Sequence, residues 1–557
     1  GVSKIPLVHY DSSREDVEWQ YYPGAGQRRA ISELFVIDID SKRPVRLDRG
    51  EEPAHLPLFW RSDGSEFLFL RVARYGKKLE LVAADAADGG TRKILSETTE
   101  TFLNFPFHQP REMLSALRDG KRFLWLFERD GWHHLYLYDF EGKLLRRLTK
   151  APFPVVRIVD VDEEKGWVYF LAQGDLGRPY DVHLYRVGLE GGEMQQLTDA
   201  PGRHDVRLSP SKDFFLDAHS SVERPPSTDL RSADGSLLRT LAATDTAPLG
   251  ELRWRPPEEV VVKAADGETD LWGVVYTPHD FDPGVCYPVV QLFEGDYGGA
   301  TGFPSGFADV RGQALAQLGF VVVRIATRGS AGRGKEFRDF AYGQPGRHET
   351  ADQVAALRQL AASRPFMDLG RVGAFGGSYP GFKALRALLA APDVYHAAVL
   401  VAPITDMSRH WRNEPILGPP DQRIYSESSN PALAANLKAK LLLIHGTSDR
   451  DVPIFHTMEM IAALIRGDKP FDLLVVPGQD HGSWNRYLSD RAIPEYFVEH
   501  LRPHAPVRCQ GRRGEKRLTR SSGGERLLRI GEILEDAQNA VVDLQFASKF
   551  REGEPQP

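Results

Sequence analysis

Residues 371–382 read Arg-Val-Gly-Ala-Phe-Gly-Gly-Ser-Tyr-Pro-Gly-Phe: an apolar run, two glycines, Ser378 and then a helical stretch. A serine on a sharp strand-to-helix turn needs small neighbours, and its hydroxyl then stands clear of the sheet as a nucleophile elbow. Gly376 and Gly377 meet that need. The amide of Tyr379, at the helix start, can donate to an oxyanion forming beside the serine. Pro380 departs from the usual glycine of such an elbow. Proline fits a first helical turn but pushes the residue before it away from helical backbone, so a slightly altered elbow is expected.

A serine hydroxyl is a weak nucleophile unless a histidine takes its proton and a carboxylate fixes that histidine's tautomer. Asp449 follows the apolar run Leu441 to Ile444, and His481 follows Leu473 to Val476. Both therefore fall in loops beyond the carboxyl ends of strands, where an α/β sheet presents its site. The order Ser378, Asp449, His481 is that of α/β-hydrolases and not of the other serine-protease folds. Nearby, Asp451 reads as a pocket-rim residue, Asp480 as a loop-shaping one, and His445 as a residue packed at a strand end.

The elements that must hold these residues follow from the pattern around them. Short apolar runs at Val289 to Phe293, Val321 to Val323, Val372 to Phe375, Ala398 to Val401, Leu441 to Ile444 and Leu473 to Val476 alternate with helical stretches such as 350–362 and 382–390. Such alternation predicts a mostly parallel sheet covered on both faces, an α/β-hydrolase domain over 246–505. A hairpin of Val260 to Val262 and Leu271 to Val275 about Asp266-Gly267 opens it, after a polar linker at 242–250. Before it, five β-rich units close on Leu47, Leu95, Leu148, Leu197 and Leu241, a recurrence of about fifty residues that suits one propeller blade each. Residues 1–245 are thus expected to form a partial or reduced β-propeller, with a β-sandwich as the alternative. Residues 506–557, rich in Arg, Gly and Ser, read as a basic flexible tail with a short amphipathic helix about 527–534.

Composition narrows the function. The chain has 557 residues, 41% hydrophobic and 26% charged, with net charge −7, so no overall positive field attracts nucleic acid. No apolar run reaches membrane-spanning length. Cys286 and Cys509 are the only cysteines and signal neither a disulfide framework nor a zinc site. The chain starts at Gly1, which leaves an upstream signal, and hence cytoplasmic against periplasmic or secreted location, open.

Together, Gly376-Gly377-Ser378-Tyr379, His445 to Asp449, Asp480-His481-Gly482, Thr327 to Ser330 and the stretch Phe127 to Tyr136 resemble the prolyl oligopeptidase family of serine peptidases, in its dipeptidyl peptidase IV branch. The resemblance implies a propeller that caps the site and admits short peptides. It implies a tyrosine hydroxyl as second oxyanion donor, for which Tyr297 of Tyr297-Gly298-Gly299 is preferred to Glu294, the ungapped match. It also places substrate contacts at Met407, His410, Asp451 and Val452, although Met407 and His410 replace the aromatic proline clasp and Asp451 an asparagine. The glutamate pair that would hold a free amino terminus has no match in Glu51-Glu52, Glu163-Glu164 or Glu258-Glu259. The expectation is a serine peptidase, dipeptidyl-peptidase-like, acting through an acyl-enzyme without metal or organic cofactor. An esterase or acyl-peptide hydrolase and a non-catalytic propeller scaffold are the alternatives, and a homodimer is left open.

Overall fold

The computed structural model describes residues 2–9, 16–104, 110–251, 254–304, 306–307, 309–482, 487–501 and 507–508. Four four-stranded antiparallel sheets follow one another, built within 54–98, 114–147, 155–196 and 203–243. The recurring leucines have a structural cause. Leu148 N–H donates to Leu135 O and Leu197 N–H to Leu184 O, each at 2.8 Å, stitching the outer strand of a blade back to its third. The threonine after each of these two leucines adds a second tie: Leu135 N–H donates to Thr149 Oγ1 and Leu184 N–H to Thr198 Oγ1. Apolar side chains such as Phe123, Trp125 and Leu81 fill the space between neighbouring sheets.

Two of the five expected units differ. The first has only two paired strands, Phe35–Ile37 and Pro44–Arg46. Leu47 N–H still donates to Leu34 O, but Phe35 and Ile37 stay exposed, because the polar run Gln27 to Glu33 offers no alternating apolar strand to cover them. The last unit is four-stranded, yet its closing Leu241 is exposed; register shifts in its outer strand turn that residue outward. An N-terminal hairpin, Lys4–His9 paired with Asp16–Tyr21, precedes these units without a signal in the leucine spacing. The linker expected over 242–250 instead holds the end of a strand at Ala243 and a short helix, Ala247–Glu251.

The second half is an α/β sheet. Its strands are β1 (Glu258–Lys263), β2 (Asp270–Tyr276), β3 (Val285–Leu292), β4 (Val321–Ile325), β5 (Met367–Gly377), β6 (Ala397–Val401), β7 (Lys440–Gly446) and β8 (Asp472–Val476). They lie in the order β1-β2-β4-β3-β5-β6-β7-β8, parallel from β4 to β8 and antiparallel at β1 and β2. Five helices cover it: α1 (Val310–Gln317), α2 (Arg347–Ser363), α3 (Ser378–Ala390), α4 (Phe455–Arg466) and α5 (Ile493–Leu501). Alternate residues of one apolar strand serve opposite faces. Val321 and Val323 pack with Leu357 of α2 and Leu385 of α3, while Val322 packs with Leu315 of α1 and Phe497 of α5. Each such buried aliphatic side chain is worth about 1.5–3 kcal/mol.

Two further expectations change. Val507–Arg508, expected in the flexible tail, adds antiparallel to Val285 and Cys286 at the start of β3. The helix expected at 527–534 lies outside the described residues, as does Cys509. Cys286 is disulfide-bonded, where sequence gave no signal for a bridge.

The two halves dock through buried ion pairs. Arg338, on the short helix Gly334–Asp339, meets Glu128 of the second blade at 2.9 Å with both side chains almost fully buried. Glu414, fully buried after β6, pairs with Arg29 and, at 2.7 Å, with Arg74.

Candidate active site

Strand β5 ends at Gly377 and α3 begins at Ser378 without an intervening loop. That abrupt turn forces Ser378 to φ 55°, a left-handed backbone that serine avoids except where the surroundings impose it. A Cβ on Gly376 would stand 2.6 Å from Pro380 O, so the turn closes only with glycine there. Pro380 sits inside the first turn of α3, and the helix runs through it. The Tyr379 amide is among the first N–H groups of the helix, which have no acceptor within it.

His481 Nε2 lies 3.0 Å from Ser378 Oγ, and its Nδ1 lies 2.7 Å from Asp449 Oδ2. The other carboxylate oxygen of Asp449 accepts from the amides of Asp451 and Val452 at 2.9 and 2.8 Å. The three residues expected to act together are therefore adjacent in space, each at the carboxyl end of its strand. The loops of Asp449 and His481 interlock. Ser448 N–H donates to Gln479 O and Gly478 N–H to Thr447 Oγ1. A Cβ on Gly446 would meet Gln479 O at 2.2 Å, so this close approach requires glycine at the end of β7.

The electrostatics favour a proton relay. Burial works to lower the His481 imidazole, but the bond to Asp449 and the charges of Asp449, Asp451 and Asp480 outweigh it and hold it above its ordinary value. Burial alone would raise Asp449; the neighbouring imidazoles of His445, 3.6 Å away, and of His481, hydrogen-bonded to it, hold its carboxyl below the usual range. His445, fully buried, lies 2.7 Å from both Thr457 Oγ1 and Val452 O and so steadies the loop beneath Asp449.

The remaining expected residues gather around this trio, not all with an open face. Tyr297 sets its ring edge-on to Tyr379 at 5.1 Å, while its hydroxyl lies 3.3 Å from Arg412 O and from Asn413 Oδ1. Burial, then the charge of Asp296, raises its phenol well above the ordinary value, so it stays a donor. Glu294 is turned elsewhere: its carboxylate pairs with Arg311 at 3.2 Å and its carbonyl accepts from buried Lys383. Met407 is fully buried in one apolar cluster with Tyr379 and Val452. His410 is buried against Tyr22, rings 4.4 Å apart, and burial pushes its imidazole down to about 3. Asp451 is half-exposed, paired with Arg412, and 4.0 Å from His481 Nε2. Asp480 joins the two loops by accepting from the amides of Arg450 and His481.

Several residues at the site carried no sequence signal. The N-terminal hairpin braces the acid loop: Gln20 Nε2 donates to Arg450 O, Glu18 pairs with Arg450, and Tyr22 Oη donates to Asp451 O at 3.0 Å. Arg412, which touches Asp451 and Tyr297, and Glu349, which accepts from Tyr379 Oη at 3.1 Å, are likewise brought in only by the fold. Of the glutamate pairs, Glu163 accepts from Arg118 N–H, Glu258 pairs with Arg364 and Glu259 with Arg178.

A four-bladed β-domain in front of an α/β-hydrolase sheet, with serine, histidine and aspartate joined at its rim, defines the class. Residues 1–226 match the dipeptidyl peptidase IV N-terminal region, and residues 306–503 match the prolyl oligopeptidase family. Human dipeptidyl peptidase 8 is 34% identical over 343 residues, 58% of this chain and 38% of that protein. The probable dipeptidyl-aminopeptidase B of Emericella nidulans is 30% identical over 369 residues, 63% of this chain and 40% of that one. The solved Porphyromonas gingivalis dipeptidyl peptidase 4 superposes with TM-score 0.79 at 24% identity, covering 90% of this chain and 71% of that chain. Over these two regions the chain is similar to the prolyl oligopeptidase family, in its dipeptidyl peptidase IV branch. It spans 38% and 40% of the length of the two curated relatives. No described helix is long and apolar enough to cross a membrane.

Proposed function

We propose that this protein is a serine peptidase that hydrolyses short peptides, in the manner of a dipeptidyl peptidase, through an acyl-enzyme. The single observation that carries the reading is His481 standing between Ser378 Oγ at 3.0 Å and Asp449 at 2.7 Å. Ser378 Oγ attacks the scissile carbonyl while His481 Nε2 takes its proton, and Asp449 holds the imidazole tautomer and supports the imidazolium. The oxyanion receives the Tyr379 N–H and, once its hydroxyl leaves Arg412 O, Tyr297. His481 returns the proton to the leaving amine; water then attacks the acyl-enzyme by the same relay. No step calls for a metal or an organic cofactor.

The second reading, an esterase or acyl-peptide hydrolase, is favoured by one feature: Met407 and His410 are buried and present no aromatic clasp to a proline ring. The experiment compares a fluorogenic dipeptidyl amide with a free amino terminus, the same amide blocked, and a simple aryl ester. The proposal expects the free-amino amide to be cleaved, with all activity lost in Ser378→Ala. Cleavage of the ester alone would overturn it. A homodimer fits the exposed Leu473 and Val475 of the edge strand β8 and Ile465 of α4. Light scattering should then give twice the monomer mass for the native chain and the monomer mass for Leu473→Glu.

A further inference from the structure

Lys383 is a buried cation that the reaction as described does not use. It lies on α3 one turn beyond Tyr379 and is 2% exposed. Burial lowers its ammonium, the carboxylates of Glu349, Asp296 and Glu294 oppose that lowering, and Arg324 is the cation that faces it. A buried ammonium is costly unless its donors are used. Two of them are. Nζ donates to Glu294 O and to Gly295 O, each at 2.6 Å, so two successive carbonyls just beyond β3 converge on one cation from the nucleophile's helix. The same Nζ stands 5.5 Å from the centre of the Tyr379 ring.

Those two carbonyls are the root of the loop that carries Tyr297. Beyond them the loop holds its own shape. Asp296 Oδ1 accepts from the amides of Gly298, Gly299 and Ala300, and Asp296 N–H donates to Ala300 O at 2.9 Å. A turn closed in this way moves as a unit, so its placement is set at its anchors, Lys383 on one side and, on the other, Ala331 N–H, which donates to Asp296 O at 3.0 Å. The two oxyanion donors assigned above sit on the two elements that Lys383 joins: the Tyr379 amide on α3 and the Tyr297 hydroxyl on the loop. A misplacement of about 1 Å in such a group can cost about a hundredfold in rate.

We propose that Lys383 is a positioning residue of the oxyanion hole, its ammonium clamping the root of the Tyr297 loop to the helix that begins at Ser378. The proposal rests on the serine-peptidase reading and on Tyr297 as the second donor. Lys383→Met removes the ammonium and keeps the length. It should lower kcat at least about tenfold on both the dipeptidyl amide and the aryl ester, with KM within about twofold, because an oxyanion forms on either substrate. In the Tyr297→Phe background the same substitution should cost less than about threefold, since the donor that it misplaces is already gone. Equal losses in the two backgrounds, or no loss in the native one, overturn the proposal. Failure of the peptidase reading is seen separately, as a native chain with no Ser378-dependent turnover of either substrate. The clamp is then read without turnover, by fluorine NMR of the Ser378→Ala protein carrying meta-fluorotyrosine. The Tyr297 resonance, identified by its loss in Tyr297→Phe, should move in Lys383→Met, and an unmoved resonance overturns the clamp. Lys383→Gln, whose amide stops one bond short of the ammonium, is read in the same ways if Lys383→Met fails to fold.

Discussion

Ser378 owes its expected reactivity to two contacts and one strained torsion, and each gives a different readout. Replacing the hydroxyl by Ser378→Ala should abolish fluorophosphonate labelling and lower kcat by about 10⁶. Asp449→Asn keeps the shape but leaves His481 with the wrong tautomer, and a loss of about 10⁴ in kcat is expected. Because the surrounding carboxylates hold the His481 pKa up, the free enzyme loses its base as pH falls through a value above about 6.5. The acid limb of kcat/KM should lie there. Asp451 is one of the charges responsible, so Asp451→Asn should move that limb to lower pH; a limb that stays put would remove Asp451 from the electrostatics of the base. Tyr297→Phe should cost about 10²–10³ in kcat with little change in KM if its hydroxyl meets the oxyanion. The triad was legible because glycines, strand ends and chain order are local features. Arg412 and Tyr22 were not, since nothing local marks a residue whose partner lies far along the chain.

At the scale of elements, the site depends on how closely β5, β7 and the loop after β8 approach one another. Gly376 and Gly446 sit where any Cβ would strike backbone oxygen, at 2.6 and 2.2 Å, so strand ends cannot relax independently of the loops they carry. Gly446→Ala should therefore disturb the His481 loop and lower kcat far more than it lowers thermal stability, measured by calorimetry beside kinetics. The blades illustrate a related limit on reading sequence. Their leucine spacing was visible because it is imposed by a backbone bond repeated from blade to blade. The two-stranded first unit and the N-terminal hairpin were not, because period alone does not say how many strands accompany a closing leucine. The hairpin in turn reaches the Asp449 loop through Gln20 and Glu18, which ties the β-rich half to the chemistry of the other.

For the molecule as a whole, the relation between the halves decides what can reach Ser378. Glu128 and Arg338 are buried together at their junction, beside a cavity of about 320 Å³ whose wall takes Glu112 and His133 from the blades and Gly298 and Gly299 from the loop after Tyr297. Arg338 also pairs with Asp339, which Lys335 shares, so Glu128→Ala leaves its buried guanidinium under-compensated and not bare, and should destabilise by about 1–3 kcal/mol, read from denaturant unfolding. The same geometry would restrict substrates if they reach Ser378 through this cavity. A single α-helix is about 10–12 Å across, and a folded domain is wider still, whereas an extended peptide passes a narrow opening end-on. If access runs through this space, one cleavable sequence presented as a free peptide should turn over at least a hundredfold faster than when held in a surface loop of a stable domain. Unfolding that host should restore most of the rate, because the chain itself is unchanged and only its width differs. Equal rates on the folded host and the free peptide would mean that Ser378 is reached from open solvent, and that the blades brace the acid loop without filtering what enters.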